Sequence, residues 1–202
     1  MRLRTLARKQ IDDVLLPYRR HGHLQLGEDI SQLQHGLQCA WYADRDGAPD
    51  HMVIAALLHD VGHLLTWEET GRHPEAELKN GYHEKVGSQF LALYFDDAVV
   101  KPVRLHVAAK RYRYSIDKDY RRSLSQASID SLMLQGGPMD ESTCRAFESS
   151  PWFNDALLLR KYDELGKDMT FQAPGLEHHM ERLIQHTRVV KARLDKETIH
   201  HA

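Results

Sequence analysis

The chain has 202 residues, 42% hydrophobic and 28% charged, with a formal net charge of −2. That fits a soluble globular protein with one full core, and it excludes a whole-protein field that would recruit nucleic acid or acidic membranes. No run approaches the roughly 18 apolar residues of a membrane span. Met1–Arg4 leads into no signal-like segment, and Cys39 and Cys144 form neither a CxxC pair nor a disulfide framework, so a reducing cytoplasm is the expected compartment. Fourteen histidines are the anomaly to explain.

Periodicity of three to four residues dominates and sustained alternation is absent, which predicts an all-α chain, a helical bundle without linker or repeat. Leu6, Ile11, Val14, Leu15 and Tyr18 form a first stripe. A capping box over Ser31-Leu33-Gln34 opens a second helix that buries Leu33, Leu37, Ala40 and Trp41. Asp50 caps a third helix, apolar on several sides and therefore central. Residues 64–82 are polar and contain Gly71, Pro74 and Gly81, and they read as a long lid-like loop. Further helices follow at about 83–95, at about 97–110 with a break or fresh start at Pro102, and at about 125–135 with a stop at Gly136-Gly137. The last three lie at about 140–148, 152–166 and 176–196.

The most informative feature is His59-Asp60, closing the apolar run from Met52 and followed by Val61-Gly62-His63. Helical neighbours project about 100° apart, so both can reach one metal only where a helix ends, and Gly62 is the residue expected to permit that ending. His35 lies inside the second helix, His83 opens the helix after the loop, His106 lies in the 97–110 segment, and Asp163 falls in Leu159-Arg160-Lys161-Tyr162-Asp163. His35, His59, Asp60 and Asp163 suffice for one metal; His83 and His106 are enough for a second, with Asp60 able to bridge. Nitrogen and oxygen ligands without thiolate favour iron or manganese and leave zinc open.

A second layer lies one helical turn away. His63 follows His59 by four residues, Lys110 follows His106 by four, and Arg160 precedes Asp163 by three, so each shares or nearly shares a helix face with a candidate ligand. Ser128 and Ser131 are one turn apart. Cations and hydroxyls beside metals suit an anion with several oxygens, such as phosphate or phosphonate. The remaining histidines are expected to be plain: His178, His179, His186, His200 and His201 solvated, and His21, His23, His51 and His73 in loops or termini. Cys39 is expected in the core, and Trp67-Glu68-Glu69 on the surface of the lid.

These segments resemble the HD-domain superfamily, and more narrowly its mixed-valent diiron oxygenases of organophosphonate breakdown, the group that includes 2-amino-1-hydroxyethylphosphonate dioxygenase (glycine-forming). The resemblance runs from about Gly27 to Lys167. It is carried by Gly27-Glu28, Ser31-Gln32-Leu33-Gln34-His35, Leu57-Leu58-His59-Asp60-Val61-Gly62-His63 and His83-Glu84. It continues through Pro102 to Tyr112, Leu132-Met133-Leu134-Gln135-Gly136-Gly137-Pro138-Met139 and Leu159 to Asp163. His-Asp-x-Gly-His alone is shared with many phosphohydrolases, whereas the stretch ending in Lys110 and the Gln-Gly-Gly-Pro-Met run are more specific. The resemblance implies one HD domain over 1–202, with its core at about 27–167 and a C-terminal helix at about 176–196. It implies two irons, Fe(II)/Fe(III), held by His35, His59, Asp60, His83, His106 and Asp163, with Asp60 bridging.

By the same resemblance His63, Lys110, Ser128, Ser131 and Arg160 receive the phosphonate and the substrate hydroxyl, with His63 and Lys110 as the candidate catalytic pair. Glu28 faces the substrate's ammonium group. Family members commonly have tyrosine where this chain has Gln25. The implied reaction is O2-dependent cleavage of the C–P bond of a 1-hydroxy-2-(substituted amino)ethylphosphonate to glycine or an N-methylated glycine and phosphate, downstream of an α-hydroxylating phosphonate enzyme. Three alternatives use a similar ligand set: an HD phosphohydrolase, a non-catalytic HD ligand-binding protein, and myo-inositol oxygenase-type chemistry. The phosphonate-type segments separate the first and third from the reading preferred here, and turnover separates the second.

Overall fold

The apolar run Met52–Leu58 is buried at every position, which makes the short helix α3 (Asp50–Leu58) the centre on which four other helices pack. A computed structural model describes residues 2–25, 29–71, 82–190 and 192. Before α3 come α1 (Arg2–His21) and α2 (Gln32–Arg45); after it come α4 (Val61–Thr70), α5 (His83–Leu91) and the long α6 (Asp97–Ile116). The remainder is α7 (Lys118–Ser123), α8 (Gln126–Leu134), α9 (Glu141–Glu148), α10 (Phe153–Leu165) and α11 (Leu176–Gln185). Helices α2 and α6 flank α3, α10 packs on both of them, and α5 lies between α4 and α6. The sole β pairing among the described residues is an isolated bridge between Gln25 and Ser31. No described helix is long and apolar enough to cross a membrane. The all-α expectation holds.

Several boundaries differ from the sequence reading. Residues 64–70, expected in a loop, belong to α4, where Leu64 is buried and Trp67 packs against the main core. Glu68 is paired with Arg20 of α1 instead of edging a lid. Residues 72–81 of that segment, with His73, lie outside the described residues. Pro102 sits inside α6 without ending it. Pro49 takes the cap position of α3, and Asp50 bonds Arg182 of α11 instead, at 2.8 Å. His51 is consequently helical. Helix α7 was not anticipated, and the last expected helix is broken: α11 ends at Gln185, helix resumes at 188–190 after His186 and Thr187, and 193–196 lie outside the described residues. Leu6, assigned to the buried stripe of α1, is 48% exposed, whereas Ile11, Val14, Leu15 and Tyr18 are buried as expected; Leu33 and Trp41 are only partly buried.

Candidate metal centre and anion shell

The chain turns between α3 and α4 at His59 and Asp60. His59 caps the end of α3 with helical angles, and Asp60, at φ −98° and ψ 10°, precedes α4. The two side chains therefore escape the 100° separation of helical neighbours and converge. Gly62 does not make this turn. It lies in the first turn of α4, where an added Cβ would stand 2.0 Å from the carbonyl oxygen of His83 and 2.9 Å from the amide of Gly87. Its hydrogen atom is what lets α5 come close enough to deliver His83.

Four donor atoms face one another on the first side of the turn. The Nε2 atoms of His35 and His59 are 3.2 Å apart. Asp60 Oδ2 lies 3.6 and 3.5 Å from them, and Asp163 Oδ1 lies 3.4 and 3.8 Å from them. On the other side, His83 Nε2 and His106 Nε2 are 3.0 Å apart, and Asp60 Oδ1 lies 3.5 and 3.6 Å from them. Donors about 2.1 Å from a first-row metal stand about 3.0 Å apart at right angles and about 3.4 Å apart at tetrahedral angles. Both nests have that scale, and the two oxygens of Asp60 are divided between them.

The imidazoles are oriented for metals. His35 Nδ1 lies 2.8 Å from the Gly166 carbonyl oxygen, His59 Nδ1 2.9 Å from that of Ala56, and His106 Nδ1 2.7 Å from that of Val103. Carbonyls only accept, so each Nδ1 carries the proton and each Nε2 presents a lone pair. Two buried lone pairs 3.2 Å apart, as on His35 and His59, require a cation or a proton between them. The electrostatics express the same need. Burial pushes His59 down, but Asp60 and Asp163 outweigh it and raise it to about 9. Burial would raise the Asp60 carboxyl, yet His59, His63, His83 and His35 hold it well below the usual range. His106, by contrast, is lowered to about 4, by burial first and then by His59. Cys39 Sγ is 3.8 Å from His35 Nδ1 and 3.9 Å from Nε2, so it abuts the edge of the ring between them, buried in the core as expected. The donor set thus fits two metals with nitrogen and oxygen ligands.

The expected anion shell also gathers. His63 stacks on His83, with ring centroids 3.9 Å apart and planes 18° from parallel. Lys110 Nζ donates to Ser131 Oγ at 2.8 Å, and Ser131 Oγ donates to the Ser128 carbonyl at 3.1 Å. Lys110 is buried, and burial followed by repulsion from Arg160 pushes its ammonium down to about 7. Arg160, also buried, donates through Nη1 to Asp163 Oδ2 at 2.5 Å. Asp163 thus offers Oδ1 to the first nest and Oδ2 to the guanidinium.

Three members of this shell escaped the sequence reading. Lys167 Nζ donates to Ser128 Oγ at 2.9 Å, Tyr120 OH accepts from Arg160 Nε at 2.7 Å, and Glu164 accepts from Tyr120 OH at 3.1 Å. Lys167 sits four residues after Asp163, the spacing applied elsewhere, but beyond the end of α10. Nothing in the sequence tied Tyr120 to Arg160, forty residues away. Glu28 lies outside the described residues. Gln25 is exposed, and its amide donates to the Asp29 carbonyl at 3.1 Å, so its side chain serves its own turn and not the centre.

Comparison with known proteins agrees with this geometry. The HD domain family matches residues 24–142. The chain is 38% identical over 160 residues to [1-hydroxy-2-(trimethylamino)ethyl]phosphonate dioxygenase (glycine-betaine-forming) of Leisingera caerulea, which covers 79% of this chain and 81% of that one. It is 42% identical over 163 residues to a hydroxymethylphosphonate dioxygenase of Gimesia maris, covering 80% of each. With His59 and Asp60 at the turn between the two nests, the chain belongs to the HD-domain family, in the branch that holds these phosphonate dioxygenases.

Proposed function

We propose that the protein is a diiron dioxygenase that cleaves the C–P bond of a 1-hydroxyphosphonate. The preferred substrate is a 1-hydroxy-2-(substituted amino)ethylphosphonate, cleaved to glycine or an N-methylated glycine and phosphate. The observation that carries the reading is Asp60, whose two oxygens face separate nests of imidazole nitrogen beside buried Lys110, Arg160 and Ser128, with half-buried Ser131 bonded to Lys110. A hydrolase needs a hydroxide aimed at phosphorus, but a C–P bond offers hydrolysis no good leaving group. Oxidation at C1 does open it: R–CH(OH)–PO3H2 and O2 give R–COOH and H3PO4, both oxygen atoms being used.

In this reading His35, His59 and Asp163 would hold one iron and His83 and His106 the other, with Asp60 offering an oxygen to each. An Fe(II)/Fe(III) pair supplies the electrons that activate O2 and the Lewis acidity that binds the substrate's oxygens. The chain's own contribution is orientation. Lys110 and Arg160 meet the phosphonate oxygens, and Ser128 and Ser131 complete the hydrogen bonds around them. His63, stacked on His83, would hold a proton beside the C1 hydroxyl. A dianion arriving beside Lys110 favours its charged form, reversing the lowering that burial causes. The hydroxyl at C1 has to be installed earlier by an α-hydroxylating phosphonate enzyme.

A second substrate, hydroxymethylphosphonate, is favoured by the relative of 42% identity, whose name carries no amine. Oxygen uptake and phosphate release with the free-amine, N-trimethyl and hydroxymethyl compounds test the function and rank the substrates. Phosphate release without oxygen uptake would convert the reading to a hydrolase. Glu28→Gln adds the discriminating arm. If Glu28 meets an ammonium, the amino substrates should lose far more than hydroxymethylphosphonate does.

A further inference from the structure

We propose that Tyr120 is a positioning residue, whose phenolic oxygen aims the Arg160 guanidinium at the substrate's anionic group. The inference rests on the reading of Arg160 as a phosphonate contact. It starts from the donor inventory of that side chain, which has five N–H groups in a rigid plane. Nε donates to Tyr120 OH at 2.7 Å, Nη1 donates to Asp163 Oδ2 at 2.5 Å, and Nη2 is paired with Glu164. Three partners on fixed helices set the plane of the guanidinium. Both terminal nitrogens keep donor capacity for an incoming anion, and a planar guanidinium can grip a phosphonate with two parallel bonds.

Of the three partners, Tyr120 is the one that comes from outside α10. It is the buried residue of α7, the helix inserted between α6 and α8. Its backbone amide is pinned by the Asp117 side chain at 2.9 Å, and the Arg113 guanidinium lies 3.9 Å from its ring centroid. Its ring packs with Leu124 and Leu132, on the same stretch that carries Ser128 and Ser131. Phenylalanine would fill that apolar space equally well. The hydroxyl is what the packing does not need: it accepts from Arg160 and donates to Glu164 Oε1 at 3.1 Å. Tyr120 therefore fixes the distance between the hydroxyls of α8 and the guanidinium of α10, both of which the anion must reach together.

The test uses the metal-loaded full chain and methylphosphonate, an anion without the C1 hydroxyl, as the binding probe. Tyr120→Phe should weaken methylphosphonate binding about tenfold and raise KM for the best hydroxyphosphonate by a similar factor. It should alter kcat much less and leave metal content and melting temperature near those of the wild type. In an Arg160→Ala background the same change should cost less than about twofold, because the group it orients is gone. Wild-type affinity in Tyr120→Phe, or a tenfold loss that persists without Arg160, overturns the proposal, as does a wild-type protein that does not bind methylphosphonate. If methylphosphonate binding depends on Tyr120 but no hydroxyphosphonate consumes O2, the positioning role stands and the dioxygenase reading fails.

Discussion

The two nests that share Asp60 are built by different means. In the first, His35 and His59 are each locked to a backbone carbonyl of the core, and Asp163 is tied to Arg160. In the second, His106 has such a lock, but His83 is placed by stacking on His63 and by the close approach of α4 to α5 at Gly62. His83 also follows Tyr82, whose φ of 33° is a left-handed conformation that a bulky residue adopts at a cost of about 1–3 kcal/mol. The first nest is thus a feature of the folded core, and the second depends on one interhelical contact holding. A shared carboxylate does not make two sites equal.

The largest expected effect exploits the shared atom pair. Asp60→Ala should remove a ligand from both nests and abolish stoichiometric metal, whereas His83→Ala should leave one metal per chain in the first nest. Metal analysis after growth in iron-rich medium reads both outcomes. Equal loss in the two variants would show that the nests fill only together. Chelation of the wild type should likewise release the second metal first.

Next in size are Lys110→Ala and Arg160→Ala, which lie outside both nests. Losing a charge-assisted contact in a buried pocket should cost roughly a hundredfold in kcat/KM, mainly through KM, with metal content retained. Unchanged kinetics would reduce the shell to structural ion pairs. Loss of metal in Arg160→Ala alone would mean that its bond to Asp163 Oδ2 serves the first nest more than the substrate.

Two glycines sharpen the comparison by loosening one nest at a time. A Cβ at position 62 meets the His83 carbonyl, which is backbone and cannot rotate away, so Gly62→Ala should part α4 from α5. The expected cost is about 2–3 kcal/mol of stability, together with preferential loss of the second metal. A Cβ at position 166 would stand 2.4 Å from Cys39 Sγ, in the strand of chain whose carbonyl accepts from His35. Gly166→Ala should disturb the first nest instead, and adding Cys39→Ala should recover part of the loss. Equal effects on both metals from either glycine would erase the distinction between the nests.

The gathering of His35, His59, Asp60, His83, His106 and Asp163 was legible because the His-Asp pair and the flanking helices follow local rules of periodicity and punctuation. Gly62 was legible as necessary but for the wrong reason: the sequence suggested a turn, and the structure uses it for an interhelical contact. Helix α4 was obscured because Trp67, Glu68 and Glu69 make a polar stretch that resembles a loop until α1 and the core are in place beside it. Tyr120, Glu164 and Lys167 were not legible at all. Their meaning lies in contacts between α7, α8 and the end of α10, which no spacing within one helix encodes.

His179 shows the same limit, and it carries the smallest prediction. A histidine on an amphipathic C-terminal helix was expected in solvent, but α11 turns it inward: it is 2% exposed, and neither ring nitrogen finds a hydrogen-bond partner among the described residues. Burial, with His178 and Arg182 adding to it, lowers its pKa to about 4. The unfolded chain takes up the proton near pH 6.5, while the folded chain refuses it until about pH 4. Protons therefore favour the unfolded state between those values, and the contribution of neutral His179 is intact above pH 6.5 and lost as the pH falls towards 4. His179→Leu should leave stability at pH 7 unchanged or slightly higher, since it removes an unpaired buried polar group. At pH 4.5 it should be more stable than the wild type by about 1–2 kcal/mol. Urea melts at the two pH values measure the difference, and a pH-independent gap between the two proteins would show that His179 takes up its proton as readily in the fold as in the unfolded chain.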